Sequence, residues 1–158
     1  CNAKVNDSCG FHVHMDAAGF NLDTWKNLTL TYKHLEHLID AFMPRTRRNN
    51  TYCKTLSGVS DERIKSVRTI DGLREVFNND RYHKVNFEAY SRHRTVEFRQ
   101  HSGTTNFTKM ENWIRFLNGL ITFAKRSSLP SRMTLEELPF LDGKQKLFFK
   151  LRTKKLAV

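Results

Sequence analysis

Cysteine and proline are scarce in this chain, with three of each among 158 residues, and glycine occurs only seven times. The cysteines Cys1, Cys9 and Cys53 are odd in number and have no repeated spacing, which argues against a disulfide framework and favours a reducing, cytoplasmic environment. Acidic residues are also few, since 16 Asp and Glu accompany 27 Lys and Arg, for a formal net charge of +11. This excess predicts an anionic partner: nucleotide phosphates, a nucleic acid or an acidic substrate.

Long hydrophobic runs are missing as well. No run approaches the roughly 20 apolar residues of a membrane helix, and the first residues show no signal-peptide pattern, so we expect no membrane partner. Hydrophobic residues nevertheless make up 39% of the chain and include twelve Phe, which is enough for one core. We therefore expect a single domain over residues 1–158. Its first residue is Cys rather than Met, which indicates a fragment or a processed product with an upstream part missing.

Hydrophobic periodicity predicts an α+β domain, in which helices pack on one face of an antiparallel sheet. Asp23, Ser60 and Asn106 are the expected helix N-caps. The predicted elements, in chain order, are a strand over 10–17, a helix over 23–43, a polar basic loop over 44–58, an interrupted helix over 60–78, a hairpin of strands 82–90 and 94–101, a helix over 106–124, and two short helices with a basic tail over 129–158.

Polar residues alternate with apolar ones in the stretches "GFHVHMDAAG" and "TVEFRQHSGT". Because alternate residues of a strand point to opposite faces, one face of the sheet is expected to carry six polar side chains. These residues are His12, His14, Asp16, Glu97, Arg99 and His101. Imidazole and carboxylate groups can bind a divalent ion, and an arginine can hold a phosphate beside it. For Asp16 and His101, a structural role in a turn or strand end is equally open.

Other combinations of histidine and cysteine have weaker support. Cys9, His12 and His14 have a spacing that could form a zinc corner, but a fourth ligand is not evident. His34 and His37 share one face of the long predicted helix, where such pairs are usually solvated.

The basic loop contributes three further candidates, Arg45, Arg47 and Arg48, which either contact phosphate or substrate or remain solvated. No Walker-type phosphate loop and no nucleophile elbow occurs in the sequence.

Four segments, in order, resemble the amidoligase family of carboxylate–amine ligases, which is related to glutamine synthetase and glutamate–cysteine ligase. They are "CGFHVHMDAAGF", "PRTRRNNTYCKTL", "RYHKVNFEAY" and "TVEFRQHSGTTNFTKMENWIRFL", and they span about residues 9–124, leaving 129–158 as a basic C-terminal extension. The resemblance implies a glutamine-synthetase-like catalytic domain. It also implies that ATP and magnesium drive amide bond formation between a carboxylate and an amine substrate through an acyl phosphate.

The resemblance assigns roles to individual positions. It implies that His12 and Glu97 are metal ligands, that His14 contacts the nucleotide phosphates, and that Arg99 steadies the phosphoryl group. Glu97, Arg99 and His14 would therefore be the catalytic residues. The remaining expected nucleotide- or substrate-binding residues are Arg45, Arg47, Arg48, Arg81 and Asn86.

One part of the family pattern has no counterpart. The family begins with a strand that carries Glu-x-Glu, whereas Asp7 is the only acid in the first eight residues here. We therefore expect the domain to lack its N-terminal strand and the chain alone to be inactive. Two alternatives remain: a non-catalytic basic protein that binds nucleic acid or an acidic partner, and a metallohydrolase that uses the histidine pair.

Overall fold

A three-stranded antiparallel sheet forms the centre of the molecule in a computed structural model that describes residues 3–4 and 9–157. Strand β1 is Val13–Asp16, β2 is Val85–Asn86 and β3 is Thr95–Phe98, in the spatial order β1-β3-β2. The predicted α+β class with an antiparallel sheet is confirmed. Cys1 and Asp7, which entered the sequence arguments, lie outside the described residues.

Six helices surround this sheet in the described part of the chain, and their buried residues join those of the sheet in one hydrophobic cluster. The ring of Tyr32 in the first helix lies 6.0 Å from that of Phe98 in β3, so this helix covers the apolar face of the sheet. The helices are α1 (Leu22–Ala41), α2 (Asp61–Ser66), α3 (Ile70–Val76), α4 (Ala89–His93), α5 (Phe107–Ala124) and α6 (Gly143–Leu156).

The N-caps agree with the sequence in two of three cases. Ser60 and Asn106 cap α2 and α5, with side chains that accept hydrogen bonds from backbone N–H groups three residues on. The expected cap Asp23 is wrong. Asn21 caps α1 instead, and its Oδ1 accepts a hydrogen bond from the Thr24 N–H at 2.8 Å. The helix begins at Leu22, one residue before the predicted start.

The predicted hairpin is correct in pairing but wrong in extent. Only Val85 and Asn86 of the 82–90 segment form a strand, which pairs with β3. The chain then turns into α4, which ends at Arg94 in the left-handed conformation (φ 55°). The buried ring of Phe87 contacts that of Trp25 at 6.0 Å, and this packing satisfies the apolar pattern without a longer strand.

The C-terminal region also differs from the prediction. One 14-residue helix, α6, replaces the two short helices, preceded by a 3-10 turn at Leu135–Glu137. Asp142 and Gln145 form a reciprocal capping box at its start, and Phe149 is buried against Phe42 of the region after α1. Among residues 9–157, no helix combines the length and apolar character that crossing a membrane requires.

Candidate functional site

Three polar residues lie side by side across the open face of the sheet. The register places His14 of β1 and Asn86 of β2 opposite Glu97 of β3, while Val13 and Phe98 are buried on the other face. The two-residue alternation predicted from the sequence therefore brings His14 and Glu97 together. We call His14, Asn86, Glu97 and Arg99 the sheet-face site.

Glu97 is the centre of this site and is only 7% exposed. Its Oε1 accepts hydrogen bonds from Asn86 Nδ2 and Arg99 Nη1, both at 3.0 Å, and its Oε2 lies 3.0 Å from His14 Nε2. Burial raises the pKa of Glu97, but the hydrogen bonds from Asn86 and Arg99 and the charge of Arg99 outweigh it and hold the pKa below its usual value. The carboxylate is thus ionised at neutral pH.

His12 approaches the same carboxylate from the beginning of β1, with Nδ1 3.7 Å from Glu97 Oε2. Burial and the nearby charge of Arg99 lower the pKa of His12, so its ring is neutral at neutral pH and keeps a lone pair for a ligand. The ring packs closely on Gly10, where a Cβ would lie 2.6 Å from His12 Nε2 and 2.8 Å from Arg47 Nη2. A larger residue than glycine at position 10 would therefore displace the histidine.

A cavity of about 400 Å³ opens over the sheet-face site, and its walls carry the cations Arg81, Arg92 and Arg99. Tyr82 lies among them: Arg81 Cζ is 4.8 Å and Arg99 Cζ 5.3 Å from the centre of its ring, and its hydroxyl accepts from Arg81 at 2.6 Å. One aromatic ring thus positions two guanidinium groups at the same cavity. This role of Tyr82 is not predicted from the sequence, because its contact with Arg99 joins two separate segments of the chain.

Arg99 has an unused donor. Its side chain is only 12% exposed and its Nη1 binds Glu97, yet its Nε is buried with no hydrogen-bond partner among the described residues. The guanidinium group as a whole places positive charge at the cavity beside Arg81 and Arg92, and guanidinium groups are the usual partners of anionic oxygens. The cavity therefore suits a phosphate or carboxylate.

The three arginines of the basic loop go to different places. Arg47 is buried and donates to the backbone oxygens of Arg99 and Gln100, so it supports the end of β3 rather than lining the cavity. Arg48 lines a separate cavity, and Arg45 is exposed. The loop does not bring these three candidates together.

Asp16 and His101 have structural contacts, the alternative that the sequence left open. Asp16 Oδ1 accepts from the Ala18 N–H at 3.0 Å in the turn after β1. His101 does not share the open face: its ring lies 5.7 Å from that of Phe11 and 5.6 Å from that of Trp113, within the core. The strand ends at Phe98, so the alternation does not extend to this residue.

The remaining histidine hypotheses give no metal site. Among residues 3–4 and 9–157, no group of three or more His, Cys, Asp and Glu side chains could hold a metal ion, so the zinc corner with Cys9 is not formed. His34 binds Asp61 at 2.7 Å and the Leu129 carbonyl oxygen at 2.6 Å, and His37 lies 3.1 Å from the Met133 carbonyl oxygen. These two residues are partly buried and connect α1 to neighbouring segments.

Comparison with known proteins places the chain in a family. A family model described as "Putative amidoligase enzyme" matches residues 2–121, a range that includes all three strands and the whole sheet-face site. No curated protein and no solved structure matches the chain.

Proposed function

The chain belongs to the amidoligase family, and from this we propose that it is an ATP- and magnesium-dependent carboxylate–amine ligase with a glutamine-synthetase-like catalytic domain. Family membership itself indicates a ligase-type function. The observation that supports the finer proposal is a single cavity lined by three arginines, Arg81, Arg92 and Arg99, beside the carboxylate of Glu97. This arrangement fits an anionic group that gains charge during the reaction.

Glu97 also supplies one ligand of the kind that magnesium prefers. This ion is commonly held by one or two carboxylates together with substrate phosphates, and Glu97 presents an ionised carboxylate to the cavity. Glu97 would hold the ion together with His12, whose ring is neutral. When bound, magnesium neutralises charge on the phosphates of ATP.

In the reaction we propose, a substrate carboxylate oxygen attacks the γ-phosphorus of ATP, ADP leaves, and an acyl phosphate forms. The amine nitrogen then attacks the acyl carbon, phosphate leaves, and the nitrogen loses one proton. Arg99, Arg81 and His14 would hold the phosphoryl oxygens during both steps. We place this activity in the cytoplasm, because the odd number and irregular spacing of the cysteines argue against a disulfide framework.

A second candidate function has one specific observation behind it. Helix α6 contains no acidic residue, and its exposed side includes Lys144, Lys150, Lys154 and Lys155. Such a surface would also suit the phosphate backbone of a nucleic acid. The two candidates differ in how binding responds to magnesium and to salt.

The test is calorimetric titration of ATP with and without magnesium. We expect magnesium-dependent binding that Glu97→Gln weakens about tenfold or more, since the variant keeps the shape of the side chain and removes its charge. Thermal stability should fall, because the substitution removes the ion pair of Glu97 with Arg99, whose side chain is only 12% exposed. Arg99→Lys should also weaken binding, because an ammonium group cannot reproduce the guanidinium fork.

Matched controls are Glu75→Gln and Arg68→Lys, two exposed side chains without polar contacts among the described residues. They should leave binding unchanged. ATP binding that does not depend on magnesium but weakens steeply with added salt would contradict the ligase proposal and favour a function in nucleic-acid binding. A loss of ATP binding in Glu97→Gln that is equal with and without magnesium would mark Glu97 as structural.

A further inference from the structure

A second cavity, of about 720 Å³, lies along α1 and shares no lining residue with the cavity over the sheet-face site. The segment around Arg48, the beginning of α2 and Arg132 form its other walls. Its charges are balanced, in contrast to the basic molecule as a whole. The charged residues are the acids Glu36, Asp40, Asp61 and Glu62 and the bases Lys33, Arg48, Lys84 and Arg132, together with His34 and His37.

The wall formed by α1 has an excess of negative charge. Lys84 is completely buried, and its Nζ lies 3.0 Å from Glu36 Oε2 and 2.8 Å from Asp40 Oδ1. One ammonium group therefore serves two carboxylates. Glu36 is satisfied further by the Thr55 hydroxyl and the Leu56 N–H.

Asp40 is not satisfied in the same way. Its Oδ1 accepts from both Lys84 and Gln100, whereas its Oδ2 has no hydrogen-bond partner among the described residues. The side chain is 30% exposed and lines the cavity. A protonated amine at this oxygen would match the surplus negative charge.

Arginine donors face the same cavity. Arg48 uses only its Nε, which donates to the Met43 carbonyl oxygen at 3.0 Å, and its two terminal nitrogens have no partner within the described part of the chain. Arg132 is exposed and has no polar contact within residues 9–157. A planar guanidinium with two open donors is the usual partner of a carboxylate.

We propose that this cavity binds a small zwitterion of the free amino acid type, with its ammonium group at Asp40 and its carboxylate at Arg48. A nucleotide is a poor fit, because the cavity has as many carboxylates as cationic side chains and so offers no net positive charge to the phosphates. The inference goes beyond the proposed ligase function and does not depend on it. The occupant would have one link to the sheet-face site, since Asp40 binds Gln100, the neighbour of Arg99.

The experiment titrates the protein with glycine, L-glutamate and L-lysine at millimolar concentrations, and with acetate and methylamine as probes that carry one charge each. At least one amino acid should bind saturably, and acetate and methylamine should bind at least tenfold more weakly. Asp40→Asn and Arg48→Gln should each weaken amino acid binding about tenfold or more. Glu75→Gln, Arg68→Gln and Glu97→Gln should leave it intact.

Three results would overturn the proposal. The first is that no amino acid binds saturably, and the second is that acetate binds as tightly as the amino acids, which would indicate a simple anion site. In the third, Glu97→Gln abolishes binding and Asp40→Asn does not, which would place the amino acid in the sheet-face site as a substrate of the proposed ligase. If Asp40→Asn fails to fold, Arg132→Gln replaces it, because this exposed side chain has no polar contact in the described chain.

Discussion

At the scale of the residue, two buried ionisable groups near the sheet differ because their surroundings differ. Glu97 stays ionised because Asn86 and Arg99 donate to its carboxylate. His101 packs on the rings of Phe11 and Trp113, and burial lowers its pKa from 6.5 to about 4. The backbone oxygen of Ser102 opposes the change, whereas the charges of Arg152, Lys109 and Arg47 add to it. His101 is thus neutral in the folded protein at pH values where the unfolded chain would protonate it.

The lowered pKa of His101 predicts that the free energy of unfolding depends on pH. Because the folded-state pKa of His101 is the lower one, its contribution is fully present above pH 6.5 and is lost as the pH falls to about 4, by on the order of 3 kcal/mol. Urea unfolding at a series of pH values measures it. His101→Phe removes the titrating group. The free energy of unfolding of this variant should therefore fall less between pH 6.5 and about 4 than that of the unmodified protein. Parallel curves for the two proteins would contradict the prediction.

The central residues of the site could be predicted because each lies at an alternate position of a strand. His14 and Glu97 came from this pattern alone, without knowledge of the fold. The contact of Tyr82 with Arg99 could not be predicted in this way, because it depends on how two separate segments meet in space. The same holds for Arg47, whose charge suggested a surface role but whose side chain is buried.

At the scale of the element, Arg47 connects the basic loop to the strand that carries the site. Its Nε lies 3.3 Å from the Gln100 carbonyl oxygen, and its Nη2 donates to the Arg99 carbonyl oxygen. The Cys53 thiol in turn donates to the Arg47 carbonyl oxygen at 3.4 Å. The Arg47 side chain therefore holds the loop at the end of β3, and the Cys53 thiol holds the Arg47 backbone within the loop.

Replacing this connection should destabilise the fold. Arg47→Gln leaves two backbone oxygens without their charged donor, at an expected cost of about 2 kcal/mol in the free energy of unfolding. Chemical denaturation measures the change, and Arg68→Gln is the exposed control, for which we expect no significant effect. Similar midpoints for Arg47→Gln and the unmodified protein would show that the connection contributes little.

Among the elements, the long helices were predictable and α4 was not. The regular apolar spacing of α1 and α5 fixes both their type and their approximate bounds. Helix α4 has five residues, too few for a helical pattern to appear, and it ends at Arg94 rather than at a glycine. Without that signal, the alternating pattern predicts a continuous strand over 82–90.

At the scale of the whole molecule, one hydrophobic cluster extends from Val13 to Phe149. The two tryptophans lie in different parts of it. Trp25 contacts the rings of Phe20 and Tyr90, whereas Trp113 packs on Phe42 and Phe116. A shared core is what a single domain over residues 1–158 requires, and the domain count remains a prediction.

The prediction is one cooperative unfolding transition. Trp25→Phe and Trp113→Phe each leave one fluorescent reporter, in different regions of the core. In each variant, the thermal midpoint from fluorescence should equal the midpoint from far-ultraviolet circular dichroism. Separate midpoints within one variant would indicate two units that unfold independently.

The register between β1 and β3 also limits how the gene can change in length. Gly10 pairs with Ser102, and His14 pairs with Glu97. Both pairs form only if the number of residues between Gly10 and His14 stays the same. Insertion of a single codon within β1 would turn the imidazole toward the core and a valine or methionine toward the cavity. A codon inserted among residues 129–134, which contain no helix or strand, would leave that pairing untouched.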